Sequence, residues 1–213
     1  MTIGQALLSF SVVAALLTVI PGLDTALVLR AAVSRGRAHA VAAALGINAG
    51  CLVWGVAAAV GASALLVASE TAYRLLTLAG AVYLVGLGLH LLWTSFRRGG
   101  SDDALAEVAP AARGSLWVSW LTGLGTNILN PKIGVFYVAT IPQFIPEGTS
   151  PLLMGILLAV VHNLIGLLWF AFVITGAGFM TRTLGRARFA RVADRVTGAV
   201  LVGFGLRLAF QHR

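Results

Sequence analysis

Charge is what this sequence lacks. Only 10% of its 213 residues are Asp, Glu, Lys or Arg, against 59% hydrophobic. A soluble domain with so few charges could not cover itself with polar surface. Cysteine is scarcer still, with Cys51 alone inside an apolar run. One thiol forms no internal disulfide and no dithiol relay, which argues against a membrane electron carrier and leaves the redox compartment unread. No Lys or Arg precedes Arg30, so the first apolar run has no basic flank of a signal peptide and reads as a retained helix. Enzyme patterns are missing too: there is no HExxH, no paired-carboxylate set and no legible Ser–His–acid arrangement. The chain is therefore not expected to be an enzyme or to carry a cofactor. The net charge of +8 is no nucleic-acid footprint, because the basic residues sit between apolar runs.

What is present is a series of long apolar stretches, over roughly 3–29, 38–68, 72–95, 115–141, 151–175 and 195–212. A span needs about 20 residues to cross a hydrocarbon core of ~30 Å. The runs are continuous and lack the period-2 alternation of a membrane barrel. Six transmembrane helices are predicted. Arginines cluster in alternate connections: Arg30, Arg35 and Arg37 in the first, Arg97, Arg98 and Arg113 in the third, and Arg182, Arg186, Arg188, Arg191 and Arg195 in the fifth. The second holds only Arg74 and the fourth none. The positive-inside rule puts the odd connections in the cytosol and both termini outside.

The halves resemble each other. Residues 85–91 read VGLGLHL and residues 202–208 read VGFGLRL, with GAV before each at 80–82 and 198–200. Pro21 and Pro131 each stand in the first span of a half, and Gly50 and Gly166 are each followed by a tryptophan, Trp54 and Trp169. Three spans is an odd number, so the second half enters the membrane from the opposite side. The expected architecture is an all-α membrane protein of two inverted three-helix repeats. It forms one transmembrane transporter domain over 1–213: a first repeat at 1–96, a cytosolic linker at 97–113 and a second repeat at 114–213. Inverted repeats place substrate at their interface, between broken helices.

Helix breaks are expected at Pro21-Gly22 and at Pro131, since proline lacks an N–H and clashes with the preceding turn. Pro21 would open a new half-helix with Asp24 in its first turn, at the positive end of the dipole. Asp24 is the only acid well inside an apolar span. It is either a functional acid or a cap near the cytosolic interface beside Arg30. Asn127 and Asn130 are three residues apart and share a face. Lys132 follows Pro131 at the start of the second half-helix, where it either cradles an anion or pairs permanently with Asp24. Gly46 and Gly50 form a GxxxG packing face. Asn48 lies between them and either lines a path or bonds across helices. His162 is a candidate proton relay or a satisfied structural histidine, and Asn163 stands next to it. Asp24, Cys51 and His162 are too sparse to make a metal-ligand cluster, although their convergence in space would favour a metal-ion exporter; that and a non-transport assembly protein are the rival readings.

Several of these residues form a pattern. P-G-L-D at 21–24 with V-L-R following, Arg35-Gly36-Arg37, A-L-G-I-N-A-G at 44–50, N-P-K at 130–132 and P-Q-F at 142–144 together resemble the LysE/RhtB-type amino-acid exporter family. The resemblance covers essentially the whole chain. It implies export of amino acids or close derivatives from the bacterial cytoplasm across the plasma (inner) membrane, by proton exchange; alternating access of one half against the other is the expected mechanism. The family often has P-G-P-D, and this chain has Leu23 in place of the second proline. A zwitterionic substrate would need Asp24 for its ammonium and the half-helix starts with Lys132 for its carboxylate, with Asn48, Asn127, Asn130 and Asn163 as further binding residues. Proton coupling would fall to Asp24 and His162. The expected partners are the amino acid and the lipid bilayer, and a homodimer is left open.

Overall fold

The computed structural model describes residues 1–20, 22–97, 114–179 and 187–210. No strand occurs among them. The helices are α1 (Ile3–Val19), α2 (Leu23–Ser34), α3 (Arg37–Ala68), α4 (Glu70–Arg97), α5 (Leu116–Ile128), α6 (Pro131–Thr140), α7 (Pro151–Thr175) and α8 (Ala187–Phe210), with a 3-10 turn at Ile141–Phe144 after α6. Pro21, residues 98–113, and Arg182, Arg186 and Arg213 lie outside the described residues.

Local chemistry sets the ends of these helices. Thr2 and Gln5 form a reciprocal capping box that starts α1. Ile20 and Gly22 are both extended, so the first run is not one rod: α1 and α2 meet at 54°. The second half-helix starts at Leu23 with Gly22 as its N-cap, two residues later than the proline rule suggests. In the fourth run the interruption is at Leu129-Asn130, and Pro131 occupies the first turn of α6, where its missing N–H costs nothing. Ser150 and Pro151 start α7 in the same way.

Among the described residues, Arg37–Ala62, Leu78–Phe96 and Pro151–Thr175 are each long and apolar enough to cross a bilayer, and the bent α1–α2 pair makes a fourth candidate. The fourth expected span is divided between α5, of 13 residues, and α6, of 10. The sixth falls in α8, which carries Arg188, Arg191, Asp194 and Arg195 in its first half and Arg207 near its end. Large apolar side chains such as Leu8, Leu153, Leu168 and Phe172 face outward. In lipid that surface needs no polar cover, and the driving force between helices becomes close packing.

Small residues supply that packing. A Cβ on Gly46 would collide with the Trp120 carbonyl, and one on Gly123 with the Ala43 carbonyl, so α3 and α5 touch backbone to backbone and run in the same direction. Gly55 and Gly155 bring α3 against α7 in opposite directions, with Ala59 beside Gly155 and Ala159 beside Gly55. The α4–α8 contact is reciprocal. A Cβ on Gly88 would lie 2.6 Å from the Gly198 carbonyl oxygen, and one on Gly198 would lie 2.6 Å from that of Gly88. Gly205 fits against Ala81 and Val85, so these two helices are antiparallel. The repeated sequence elements are therefore packing elements: GAV of one half meets the GxG of the other.

Two apolar clusters result. Phe10, Phe136, Tyr137, Ile141 and Leu158 lead one, built on α1, α6 and α7. Leu27, Val28, Ala43, Ile47, Phe170 and Val173 lead the other, built on α2, α3 and α7. A cavity with both polar and apolar lining lies between them.

Candidate functional site

The cavity has a volume of about 50 Å³, room for a few water-sized groups. Both helix breaks open onto it. From the first come Leu17, Thr18, Ile20, Gly22, Asp24 and Thr25; from the second come Asn130, Lys132 and Ile133. Helix α3 adds Ile47, Asn48 and Cys51, and α7 adds His162, Asn163, Gly166 and Phe170.

Asp24 is in the first turn of α2, where the exposed N–H groups favour an anion. Its carboxylate accepts from Asn127 Nδ2 at 2.8 Å and from Asn130 Nδ2 at 3.4 Å. Asn127 is fully buried, and it fits because Gly50 has no side chain: a Cβ there would lie 2.5 Å from Asn127 Oδ1. Asn130 works twice. Its Oδ1 accepts from the Lys132 backbone N–H at 3.1 Å and caps α6, while its Nδ2 turns to Asp24. The Lys132 ammonium donates to the Leu17 carbonyl at 3.4 Å. Leu17 belongs to the last turn of α1, whose terminal carbonyls have no partner within the helix and carry the negative end of the dipole. The lysine of the second break thus serves the end of the first.

A second polar group lies deeper. His162 Nε2 is 3.2 Å from Thr18 Oγ1, and Nδ1 is 2.8 Å from the Tyr137 hydroxyl. Thr18 gives its one hydroxyl proton to the Ala14 carbonyl at 2.7 Å. Its oxygen therefore accepts from Nε2–H, which leaves Nδ1 to accept from Tyr137. This arrangement satisfies every atom with a neutral imidazole. Phe10 and Phe136 stand edge-on to the ring and Tyr137 stacks with it. Cys51 hydrogen-bonds with Tyr137 and lies 3.5 Å from Asn127 Nδ2, which links this group to Asp24.

Asn48 and Asn163 complete the polar wall. Asn48 Nδ2 donates to the Ala44 carbonyl at 2.7 Å, and Asn163 Nδ2 to the Asn48 carbonyl at 3.0 Å. Asn163 Oδ1 is buried with no hydrogen-bond partner, a costly condition for an amide oxygen.

The structure thus gathers Asp24, Asn48, Asn130, Lys132, His162, Asn163 and Gly22 on one cavity, with Asn127 bonded to Asp24 from just behind the wall. Gly46 and Gly50 stand at the α3–α5 contact, against helix backbone and against Asn127 respectively. Sequence reasoning missed Thr18, Thr25 and Tyr137, and it weighed Cys51 only as a sparse metal ligand. Trp169 Nε1 donates to Thr25 Oγ1 at 3.2 Å, which holds α2 against α7. A tyrosine or tryptophan deep in an apolar span is itself a signal, because its polar tip requires a partner there. The chain also has a single lysine and a single cysteine, and both reach this cavity along with the acid of the first span.

Comparison with known proteins gives a consistent result. The chain is 31% identical over 205 residues to the leucine efflux protein of Klebsiella pneumoniae, which covers 95% of this chain and 93% of the relative. It is 29% identical over 190 residues to the threonine efflux protein of Escherichia coli K12, covering 88% and 89%. A membrane protein of Bacillus subtilis, YrhP, is 29% identical over 205 residues, 95% of this chain and 98% of that one. No solved structure matches. The LysE type translocator family matches residues 15–212, and with that match over nearly the whole length the chain belongs to the LysE family of membrane translocators.

Proposed function

We propose that this protein exports amino acids or close derivatives from the cytoplasm in exchange for protons, with the central cavity open to each side in turn. One observation carries this reading: the acid of the first helix break is held by the asparagines of the second, in a cavity that also contains the only lysine. An α-amino acid carries one ammonium and one carboxylate. Asp24 and the unpartnered Asn163 Oδ1 suit the ammonium, while Lys132 and the capped start of α6 suit the carboxylate. Asn48, Asn127 and Asn130 hold the polar wall in register. The efflux activities named for the relatives from Klebsiella and Escherichia favour the same substrate class.

The packing supports two inverted three-helix repeats. α3 and α5 run parallel, whereas α3–α7 and α4–α8 run antiparallel, as six alternating spans require. Arg35 donates to the Gly114 carbonyl at 2.8 Å, and this bond joins the first basic connection to the start of the second half at one end of the molecule. That is in line with an inner-membrane protein whose Arg-rich connections are cytosolic and whose termini are outside. In the exchange cycle Asp24 takes a proton when substrate leaves, and His162 relays protons through Tyr137 and Thr18. The metal-export alternative is weaker. Asp24, Cys51 and His162 all reach the cavity, yet among the described residues no three His, Cys, Asp or Glu side chains are grouped to hold an ion.

Asp24→Asn tests the reading. In everted membrane vesicles the variant should insert normally and lose at least about 100-fold of its proton-driven amino-acid flux, on the scale of a lost buried ionic partner. Wild-type flux in that variant would remove Asp24 from the mechanism.

A further inference from the structure

The buried hydrogen bonds around the cavity all point one way. Thr18 gives its only proton to the Ala14 carbonyl, so its oxygen takes the Nε2–H of His162. Nδ1 is then an acceptor and receives the Tyr137 hydroxyl proton at 2.8 Å. With that proton engaged, the hydrogen bond between Tyr137 and Cys51 has the thiol as its donor. The sulfur is left with lone pairs only, and it accepts from Asn127 Nδ2 at 3.5 Å. The other hydrogen of the same nitrogen goes to Asp24 Oδ2 at 2.8 Å. Each link has one arrangement once the link before it is set. The first is set by a helix, because Thr18 is bonded to its own preceding turn.

The chain ends at a side chain that could meet Asp24 in two ways. Turned over, the Asn127 amide would present Oδ1 to the carboxyl group and to the sulfur. That face suits a protonated Asp24, whose O–H can donate, and opposes an ionised one. As it stands, Oδ1 lies against α3, where a Cβ on Gly50 would come within 2.5 Å of it, and it has no hydrogen-bond partner among the described residues. An orphaned buried amide oxygen is costly, so the orientation needs a support. The thiol supplies one, because in the turned state Oδ1 and the Tyr137 oxygen would compete for a single S–H. The titratable and charged groups around Asp24 are Lys132 on α6, Cys51 on α3 and, behind them, Tyr137 on α6 and His162 on α7; α1 and α5 bring Thr18 and Asn127.

We infer that Thr18, Tyr137 and Cys51 are positioning residues for Asp24: the helix-bound hydroxyl of Thr18 fixes the direction of every hydrogen bond from His162 to Asn127, and so keeps an N–H, not a carbonyl, on the carboxylate. This inference rests on the proton-exchange reading and adds to it the residues that set when Asp24 takes its proton.

The pH profile of exchange tests it, with the full chain in proteoliposomes. Cys51→Ala removes the support, so Asn127 can turn to a protonated Asp24. The pH of half-maximal amino-acid flux should rise by about one unit, a tenfold change in the proton concentration required, on the scale of one hydrogen bond. Tyr137→Phe keeps the ring stacked on His162 and should shift the profile the same way, as should Thr18→Val at the far end of the chain. Cys51→Ser again offers one donor and one acceptor, and should bring the midpoint back to within about 0.3 unit of the wild type. Wild-type midpoints in Cys51→Ala and Tyr137→Phe, or a serine variant shifted as far as alanine, would overturn the inference and leave proton exchange standing. If the flux of the wild type itself ignores a proton gradient, the exchange reading fails and takes the inference with it.

A measurement that needs no transport covers variants that insert poorly. Nitrogen NMR of the wild-type chain in bilayers, with isotope-labelled histidine, reads the ring of His162, assigned by the signals lost in His162→Gln. The ring should be neutral and protonated on Nε2. A ring protonated on Nδ1 would make Tyr137 an acceptor, reverse the chain and overturn the inference.

Discussion

The two helix breaks of this chain are built differently. The break between α1 and α2 is made by extended residues, and its N-cap, Gly22, has no side chain with which to cap. The break between α5 and α6 is self-sufficient: Asn130 caps the new helix and Pro131 occupies the turn that needs no N–H. The first break depends on the second. Its acid is held by Asn127 and Asn130, and its loose α1 end accepts from Lys132. One half-helix start is thus capped within itself, and the other has its polar groups met by side chains of the first, beside the apolar packing of α1 and α2. Polar contacts can be exchanged for contacts with a substrate, whereas a cap formed within one turn stays in place. In the proposed exchange cycle, the contacts that substrate would replace are those of the first break.

The comparison breaks most severely if the self-capped start is displaced. Gly46 meets the Trp120 carbonyl so closely that even a methyl group would force α3 from α5, and backbone cannot yield as a side chain can. Gly46→Ala should cost about 1–3 kcal/mol through overpacking. It should appear as a clear drop in the melting temperature of the detergent-solubilised protein, with loss of transport. Unchanged melting would mean that α5 is free to shift, and the contrast between a fixed and a held break would fail.

The sequence made the outline of this architecture legible, and the reasons can be given residue by residue. Hydrophobic runs, Pro131 and the GxxxG pair report directly on lipid, on the missing N–H and on close packing, each of which is a local property. Asp24 was legible as an anomaly because a carboxylate in an apolar run needs a reason. Its partners were not. Asn127 and Asn130 share a face by spacing, but nothing local says that the face turns to residue 24, more than 100 positions away. From the sequence Lys132 is either a cradle for an anion at the start of α6 or a partner of Asp24, and its bond to the α1 carbonyl end depends on how two halves cross. Thr18 and Tyr137 escaped notice because a lone hydroxyl in a helix is ordinarily satisfied by its own preceding turn, as Thr18 in part is. The start of α2 at Leu23 was also illegible: the proline rule gives a first helical position, and here the extended Gly22 delays it.

Lys132→Gln sharpens the comparison at intermediate cost. The ammonium has two roles in the proposed scheme, as a cap on α1 and as the counter-ion of a substrate carboxylate. Glutamine keeps a donor for the Leu17 carbonyl but no charge. The variant should lose about 1–2 kcal/mol of stability, the scale of a charge-assisted hydrogen bond weakened to a neutral one. Its KM for substrate should rise by about tenfold or more. A melting-temperature loss with KM unchanged would assign Lys132 to structure alone.

Asn130→Ser probes the smallest effect, and it separates the two functions of one side chain. Serine caps a helix about as well as asparagine, so α6 should keep its start and the melting temperature should move by only a few tenths of a kcal/mol equivalent. What serine lacks is the reach of the amide N–H to Asp24. That bond is long at 3.4 Å, and Asn127 holds the same carboxylate at 2.8 Å, so the loss should be partial. Transport should fall severalfold, by about the factor of 2–10 that corresponds to a modest hydrogen bond, with insertion and melting almost unchanged. Asn130→Ala should add a stability loss of about 1 kcal/mol to the same transport defect, because it removes the cap as well. If serine restored transport fully and alanine did not, the cap alone would account for Asn130. The acid of the first break would then be held by Asn127 without help, and the second break would be a template that touches its partner through one amide and one lysine.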